Sequence, residues 1–286
     1  MGSLKNITVL GTGVLGLQIA YQSAYNGFPV VAYDINDGAL ATAKERSREL
    51  VATYKEQVAG AADGKADAAL TRITFSSDLA DAVKDADLVI EAIPENIDIK
   101  KDTYTKLGAL APEKTIFATN SSTLLPSDLM EFTGRPEKFL ALHFANKVWI
   151  FNTAEVMGTA KTDPATFAAV AEFAGEIGMV PIEIKKEKAG YVLNSLLIPL
   201  LNAASDLLTD GIAEPEMIDK TWRIGTGAPF GPFQMYDVIG LTTAYNVASV
   251  GGPKQQAFAA HIKENYIDKG KLGVSTGEGF YTYPAA

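Results

Sequence analysis

The stretch ITVLGTGVLG, residues 7–16, is the part of the sequence that decides the fold. Residues 7–10 predict a short buried strand, and residues 11–16 fit the pattern Gly-x-Gly-x-x-Gly. An amphipathic helix is predicted over residues 14–25, and a second strand over residues 29–33 ends directly before Asp34. A strand, a glycine-rich loop, a helix and a second strand in this order are typical of a fold that binds a dinucleotide.

The loop residues and Asp34 have separate predicted tasks. Small residues let the backbone turn tightly and approach a pyrophosphate, while the start of the helix supplies free N–H groups and positive dipole. Asp34 lies 18 residues after Gly16, close to the spacing of an acid that binds the adenosine ribose hydroxyls. A carboxylate there repels a 2′-phosphate, so NAD is favoured over NADP. The alternative is a glycine turn used only for packing. The loop residues assigned to the cofactor are Gly11, Gly13, Val14, Leu15 and Gly16.

Strand and helix patterns alternate through the first part of the chain. Compact apolar runs of this kind suit a parallel sheet covered on both faces, and they predict an α/β, Rossmann-type, mostly parallel sheet domain. Helices are predicted between several of the strands, and residues 59–69 are interpreted as the turn of a helical hairpin. The predicted strands cover residues 7–10, 29–33, 88–93, 115–119, 139–144, 152–157 and 180–184.

The pattern changes after about residue 185, where helices follow one another and a strand pattern returns only at residues 279–283. We therefore predict two domains: residues 1–187 form a Rossmann-like NAD-binding domain with a helical hairpin insertion, and residues 188–286 form an all-helical domain for substrate and dimerisation. The helices predicted there cover residues 190–210, 215–224, 231–239 and 253–268.

Composition excludes several function classes. The 286 residues contain no cysteine and two histidines, which argues against disulfides, thiolate zinc sites and a histidine-rich metal site, so no metal is predicted. The net charge is −9, with 25 basic against 34 acidic residues, so nucleic acid is a poor partner. No apolar run is long enough to cross a membrane, and the simplest interpretation is a cytoplasmic enzyme acting on a small molecule.

Polar side chains suited to acid–base chemistry follow the predicted strands. His143 stands at the C-terminal end of FLALHF, and Ser122 follows the strand that ends in Ala-Thr-Asn-Ser-Ser. Glu155 lies twelve residues after the histidine, within Asn-Thr-Ala-Glu-Val-Met. Ligands of open α/β sheets bind at the carboxyl ends of the strands, so these side chains are candidates for a reaction centre.

Several segments together resemble the 3-hydroxyacyl-CoA dehydrogenase family, in particular the short bacterial 3-hydroxybutyryl-CoA dehydrogenases. The resemblance covers nearly the whole chain, and the number, order and spacing of the segments make it far more specific than the glycine loop alone. The segments are ITVLGTGVLG, DLVIEAIPENIDIKK, TIFATNSSTL, LALHF with Asn146, AGYVLNSLLIPLLNAA, GPFQMYDVIGL and TGEGFY.

The resemblance implies roles for individual residues. It implies that His143 acts as a base, that Glu155 orients it and stabilises its charged form, and that Ser122 and Asn194 hold the alcohol or ketone oxygen. It also implies cofactor contacts by Glu95, Lys100, Asn120 and Asn146. The chemistry is consistent with this, because a histidine can exchange the hydroxyl proton while NAD takes the hydride.

Each catalytic candidate has a structural alternative. His143 could be a hydrogen-bonded strand-end residue, and Ser122 could cap a helix starting near residue 126. Asn194 could be a buried hydrogen-bonding residue in an apolar helix. Glu155 could be a solvated strand residue, although its apolar neighbours suggest a partly covered strand.

The sequence departs from the family in two places that concern the substrate. ANKVWIF, residues 145–151, replaces a proline-rich run, and Trp149 could either narrow the pocket or simply pack. In the family, a serine and a lysine of the helical hairpin bind the CoA nucleotide, and an ungapped alignment places Leu50 and Gln57 at these positions. The fold and the hydride chemistry are therefore better supported than CoA itself.

Three functions remain open. The first is an NAD-dependent dehydrogenase of short L-3-hydroxyacyl-CoA substrates in fatty acid metabolism. The second keeps the fold and the His–Glu pair but acts on a free small hydroxy acid or similar alcohol without CoA. The third is a non-catalytic dinucleotide-binding protein, and a hydrolase using Ser122 is weaker still. The resemblance implies a homodimer, and so does an apolar stripe on the helix predicted over residues 190–210. The stripe could instead serve the domain's own core. It contains Leu193, Leu196, Leu197, Leu200 and Leu201.

Overall fold

The computed structural model describes residues 2–283, and the chain divides into two compact units between Val192 and Leu193. The first unit contains one eight-stranded sheet with the order β3-β2-β1-β4-β5-β6-β7-β8. Its strands are Ile7–Leu10 (β1), Val30–Tyr33 (β2), Ile73–Ser76 (β3), Leu88–Glu91 (β4), Ile116–Thr119 (β5), Phe139–Phe144 (β6), Thr153–Gly158 (β7) and Val180–Ile184 (β8). The predicted α/β class is confirmed.

The sheet is parallel apart from one pair. In the described sheet β6 and β7 run antiparallel, and the other neighbouring strands run parallel. Every residue of β1, β4, β5 and β6 is buried, which is why these segments read as continuous apolar runs rather than alternating ones. The prediction of a mostly parallel sheet covered on both faces is therefore confirmed.

Helices follow most of the strands and start at recognisable caps. Asn36, Asn96 and Asp163 each accept a hydrogen bond from a backbone N–H of the first turn of the helix that follows. Such caps satisfy N–H groups that have no partner inside a helix. The helices of the first unit are Val14–Tyr25 (α1), Asp37–Gln57 (α2), Lys65–Leu70 (α3), Leu79–Val83 (α4), Ile97–Leu110 (α5) and Pro164–Glu176 (α6).

The strand order places a crevice at the carboxyl ends of the central strands. The chain moves outward from β1 through β2 to β3 and then returns to place β4 on the other side of β1. Loops that leave neighbouring strands in opposite directions open such a crevice in doubly wound sheets. The loops after β1, β4 and β5 carry most of the residues predicted for the cofactor.

The second unit is built from helices around its own core. The core contains Leu201, Phe233, Leu241, Phe258 and Ile262, all buried. The helices are Leu193–Thr209 (α7), Pro215–Thr226 (α8), Pro232–Ile239 (α9), Leu241–Ser249 (α10) and Pro253–Asn265 (α11). Within residues 2–283, no helix combines the length and the apolar character needed to cross a membrane.

Sequence patterns missed some elements. Strand β3 was not predicted because it is an edge strand with one buried residue in four, so it shows no apolar run. Helices α3 and α10 were also missed, since they are short and rich in small or β-branched residues. The turn interpreted over residues 59–69 is correct only in part: a turn with positive φ at Gly60 and Gly64 does join α2 to α3, but residues 65–69 already belong to α3.

The strand predicted over residues 279–283 is wrong. These residues form an isolated bridge, Glu278 to Thr282, instead of a ladder. The backbone N–H groups of Phe280 and Tyr281 donate to the buried carboxylate of Asp237, at 2.8 Å and 2.9 Å. A side chain from helix α9 therefore takes the donors that a neighbouring strand would have used.

Candidate active site

The loop after β1 has the geometry needed for close approach of a phosphate. Gly11 has φ +91°, and a Cβ there would lie 2.6 Å from the Ala92 carbonyl oxygen. A Cβ on Gly16 would lie 2.0 Å from the carbonyl oxygen of Gly11. A Cβ on Gly13 would meet nothing within 4 Å, and Gly13 stands as the N-cap of α1 without a capping side chain. The loop thus leaves the helix N-terminus open to an anion.

Asp34 lies where the sequence predicts it, at the end of β2, but it has an additional role. One carboxylate oxygen accepts hydrogen bonds from the backbone N–H of Thr12 at 2.8 Å and from its hydroxyl at 2.6 Å. The other oxygen accepts from the backbone N–H of Ile35 at 2.8 Å. Asp34 therefore closes the glycine loop onto β2 and remains partly exposed. The contact with Thr12 was not foreseen from the sequence.

A cavity of about 230 Å³ lies between the loops after β1, β4 and β5. It brings together residues that are far apart in the chain and were predicted separately. The predicted residues that line it are Gly13, Val14, Leu15, Gly16, Glu95, Lys100, Asn120 and Ser122. Ala92, Ile93 and Thr123 complete the lining. An open helix N-terminus, a nearby carboxylate and a cavity lined by backbone and polar groups fit a dinucleotide.

Lys100 is held in this cavity by two acids, the buried Glu91 and the more exposed Glu95. Its ammonium lies 2.5 Å from a carboxylate oxygen of Glu91 and 3.4 Å from one of Glu95. Glu91 is completely buried and also accepts hydrogen bonds from the hydroxyls of Tyr104 and Thr119. Burying charges is tolerated here because they are paired and hydrogen-bonded. Sequence reasoning missed Glu91, although an acid at the end of an apolar strand was a visible signal.

Glu95 organises the turn that carries Ser122. Its carboxylate accepts hydrogen bonds from the Ser121 hydroxyl at 2.5 Å and from the N–H and hydroxyl of Thr123 at 3.0 Å and 2.8 Å. Burial alone would raise the pKa of Glu95, but these hydrogen bonds and the charge of Lys100 lower its pKa to about 2. Because Ser121 and Thr123 on either side of Ser122 both donate to the Glu95 carboxylate, the backbone at Ser122 is restricted.

Ser122, His143 and Glu155 form one hydrogen-bonded chain. The Ser122 hydroxyl lies 3.0 Å from Nε2 of His143, and Nδ1 of the same ring lies 2.9 Å from a carboxylate oxygen of Glu155. His143 and Glu155 are directly opposite each other in the antiparallel pair β6–β7, which explains their spacing of twelve residues. Both side chains are buried, with 5% and 3% of their surface exposed.

The structure decides between several alternatives for these residues. Glu155 is not a solvated strand residue, since it is buried and paired. Ser122 is not the serine that caps the turn before residue 126. That role belongs to Ser121, whose hydroxyl accepts a hydrogen bond from the backbone N–H of Leu124 at 3.0 Å. The Ser122 hydroxyl bonds to His143 instead. Trp149 packs against Tyr54 with ring centroids 5.3 Å apart and donates to Gln57 at 2.9 Å, as expected of a packing aromatic residue.

The asparagines have different positions. Asn120 lines the cavity, and its side-chain oxygen accepts from the N–H of Phe144 at 3.0 Å. Asn146 lies in the loop after β6, where it is exposed and outside the cavity lining. Asn194 lies in the first turn of α7, in the second unit. In the described part of the chain, no group of three or more His, Asp or Glu side chains could hold a metal ion.

Comparison with known proteins gives two family matches. Residues 6–188 match the family described as 3-hydroxyacyl-CoA dehydrogenase, NAD binding domain, and residues 190–283 match its C-terminal domain. The mitochondrial hydroxyacyl-coenzyme A dehydrogenase of Homo sapiens is 35% identical over 288 residues, covering 98% of this chain and 91% of the relative. A probable 3-hydroxybutyryl-CoA dehydrogenase of Deinococcus radiodurans is 34% identical over 278 residues, covering 96% and 99%.

Two solved structures are similar over the full chain. One is described as "Substrate-directed dual catalysis of dicarbonyl compounds by diketoreductase"; it is 71% identical, has a TM-score of 0.96, and the match covers 99% of this chain and 100% of that one. The other is (S)-3-hydroxybutyryl-CoA dehydrogenase PaaH1 from Ralstonia eutropha, 32% identical with a TM-score of 0.78 and the same coverage. The protein therefore belongs to the 3-hydroxyacyl-CoA dehydrogenase family and is an NAD-dependent oxidoreductase of that kind.

Proposed function

We propose that the protein interconverts a secondary alcohol and its ketone, with His143 as the proton-exchanging base, Glu155 as its positioning partner and Ser122 as a ligand of the substrate oxygen. The observation that carries this proposal is the hydrogen-bonded chain of these three residues, which ends at the cavity through Ser122. The NAD cofactor, when bound, supplies the redox chemistry by accepting the hydride or, as NADH, returning it.

The direction of the hydrogen bonds follows from the chemistry of the carboxylate. Glu155 as a carboxylate can only accept, so Nδ1 of His143 carries the hydrogen of that bond. Nε2 then presents a lone pair toward Ser122 and takes the alcohol proton during oxidation. The positive charge that develops on the imidazole is offset by Glu155, as in other His–carboxylate pairs. Ser122 would hold the reacting oxygen.

The observations that bear on the substrate class point in two directions, to a substrate with CoA and to one without it. Family membership and the retained α2–α3 hairpin favour an L-3-hydroxyacyl-CoA. The two hairpin positions assigned to CoA contacts favour a substrate without CoA. Leu50 packs against the hydrophobic core, and Gln57 accepts the hydrogen bond from Trp149. The 71% identical relative is described as acting on dicarbonyl compounds. We therefore propose small dicarbonyl compounds and the corresponding hydroxy compounds as the preferred class, with short 3-hydroxyacyl-CoA as the second candidate.

A substrate panel tests this proposal. NADH consumption is measured with acetylacetone, free acetoacetate and acetoacetyl-CoA, and each is repeated with NADPH. The proposal predicts a higher kcat/KM for the free dicarbonyl than for the thioester, and NADH preferred over NADPH because of the Asp34 carboxylate. A thioester preferred by a large factor would instead establish the CoA dehydrogenase. The double variant L50S/Q57K restores the family's residue types and should lower the KM for acetoacetyl-CoA about tenfold.

We also propose that the second unit mediates dimer formation. Its surface carries large apolar side chains, with Leu196, Ile224 and Val247 exposed by 70%, 76% and 61%. The predicted stripe on α7 serves both purposes, since Leu201 is buried in the unit's own core while Leu193 and Leu196 are exposed. Light scattering should give about twice the chain mass of 30.4 kDa, and a monomer would refute this. A cytoplasmic location and a role in fatty acid metabolism stay predictions.

A further inference from the structure

The last three residues of the first unit each contact the turn or the side chains of the proposed site. The Gly190 N–H donates to the carbonyl oxygen of Ser122 at 3.3 Å. The Tyr191 hydroxyl donates to the carbonyl oxygen of Ser121 at 2.7 Å. The Val192 N–H donates to the carboxylate oxygen of Glu155 that His143 does not use, at 2.9 Å. Residues 190–192 thus form a strap across the Ser122–His143–Glu155 chain.

The Tyr191 ring adds a contact with the histidine itself. It stacks on the His143 imidazole with ring centroids 4.4 Å apart and an angle of 9° between the planes. Tyr191 is only 1% exposed and packs with Ala141 and Met157 on the same side of the sheet. A parallel ring at this distance leaves the imidazole little freedom to tilt, because its other contacts already fix both nitrogens.

The backbone at Tyr191 supports a functional reason for this arrangement. Its φ of +51° lies in the left-handed region, which a bulky residue rarely adopts. Strained conformations persist when the surrounding contacts determine them, and they concentrate at functional sites. Here the contacts are the stack, the hydroxyl bond and the Tyr191 N–H, which donates to the Lys188 carbonyl at 3.0 Å.

The hydroxyl of Tyr191 stays protonated under working conditions. Burial raises the pKa of Tyr191 far above its usual value, and the nearby charges of Glu155, Glu95 and Glu91 raise it further. The group therefore serves as a permanent hydrogen-bond donor to the Ser121 carbonyl.

We propose that Tyr191 is a positioning residue of this site: its ring sets the plane of the His143 imidazole, and its hydroxyl fixes the backbone that carries Ser122. This inference rests on the proposed role of His143 as the base. It adds a specific claim, that alignment between Ser122 and Nε2 depends on a buried residue outside the cavity lining.

The first test uses the two histidines of the chain and needs no substrate. NMR of the protein with isotope-labelled histidine rings gives separate signals for His143 and His261. In Y191L the His143 ring protons should move because the ring current of the stacked tyrosine is lost. In Y191F they should stay close to wild type, and His261 serves as the internal reference for folding. Unchanged His143 signals in Y191L would overturn the proposal.

The second test separates positioning from a general structural effect. We expect kcat to fall about fivefold in Y191F, which loses one hydrogen bond, and about 10²-fold in Y191L, which loses the alignment as well. NADH affinity should be unchanged in both. The matched control is Y21F, which removes another buried tyrosine bond to a carbonyl, from Tyr21 to Ala66 at 2.7 Å, and should lower stability without lowering kcat.

Two outcomes count against the inference in distinguishable ways. Wild-type kcat in Y191L, or an equal loss of kcat in Y191F and Y21F, shows that Tyr191 only stabilises the fold. Retained turnover in H143A shows instead that the proposed function fails, whatever Tyr191 does. Since Y191F keeps the ring in place, it remains informative if Y191L does not fold.

Discussion

Replacement of Glu155 by glutamine probes the hydrogen-bonded chain with the smallest change in shape. The two carboxylate oxygens of Glu155 have different partners: Oε2 accepts from Nδ1 of His143 at 2.9 Å, and Oε1 accepts from the backbone N–H of Val192 at 2.9 Å. A glutamine amide has one accepting oxygen and one donating NH₂ group. It can satisfy both partners only if the imidazole moves its hydrogen from Nδ1 to Nε2.

The magnitude follows from this change of tautomer. With the hydrogen on Nε2, His143 has no lone pair toward Ser122 and cannot take the alcohol proton. Loss of the correct tautomer in an analogous histidine–carboxylate pair costs about 10⁴-fold in kcat. If the glutamine oxygen accepts from Nδ1 of His143 instead, its NH₂ group faces the Val192 N–H. That backbone N–H then loses this acceptor, which costs about 1–3 kcal/mol of stability. We expect the first response, with kcat lowered at least about 10³-fold.

The assay is NADH consumption with the best substrate of the panel, beside NADH binding followed by fluorescence. Binding should be unchanged, because neither Glu155 nor His143 lines the cavity at the glycine loop. The control is E183Q, which makes the same substitution at an exposed position in β8. A kcat for E155Q close to that of E183Q would refute the reasoning.

Three further predictions concern the cofactor loop and the stability of the two units. D34N should weaken NADH binding about tenfold and reduce the preference for NADH over NADPH, since it removes the charge that we propose to bind the ribose and that closes the loop onto Thr12. Binding titrations with both cofactors, with D37N as the control, check this. E95Q should lower the melting temperature above pH 4.5, because the lowered pKa of Glu95 stabilises the fold only where the carboxyl is ionised. The difference in melting temperature between E95Q and wild type should vanish as the pH falls to about 2. A difference that does not change with pH would contradict this prediction. G279A should destabilise the protein by about 1–3 kcal/mol, because a Cβ there would lie 2.0 Å from Asp237 Oδ1, whereas G225A, with nothing within 4 Å, should not destabilise it in thermal unfolding.

The features that the sequence predicts correctly depend on residues close together in the chain, or on the pairing of consecutive strands. The glycine loop was predictable because strand, turn and helix are adjacent in the chain, and its dihedral and contact requirements leave glycine as the fitting residue at Gly11 and Gly16. The spacing of twelve positions from His143 to Glu155 suits a pair of consecutive antiparallel strands, and the register of β6 and β7 places the two residues in contact. The family resemblance predicted Ser122 as a site residue, and its hydroxyl is hydrogen-bonded to the His143 ring.

The features that were not predicted depend on contacts between distant segments. Strand β3 is stabilised by its pairing with β2 at the sheet edge, which an exposed and polar sequence does not reveal. The hydrogen bond between Glu91 and Thr119 joins residues 28 positions apart. The stack of Tyr191 on His143 joins strand β6 to the segment between β8 and α7. The Asp237 carboxylate overrides a local strand pattern at residues 279–283 for the same reason.

The most direct measurement of the central claim is single-turnover reduction by the H143A variant preloaded with NADH. The account predicts NADH affinity equal to wild type and a rate of NADH oxidation lowered by about 10²–10⁴-fold, the usual contribution of a positioned acid or base. Oxidation of the bound NADH at nearly the wild-type rate would show that the proton comes from another group, and it would contradict the role of His143.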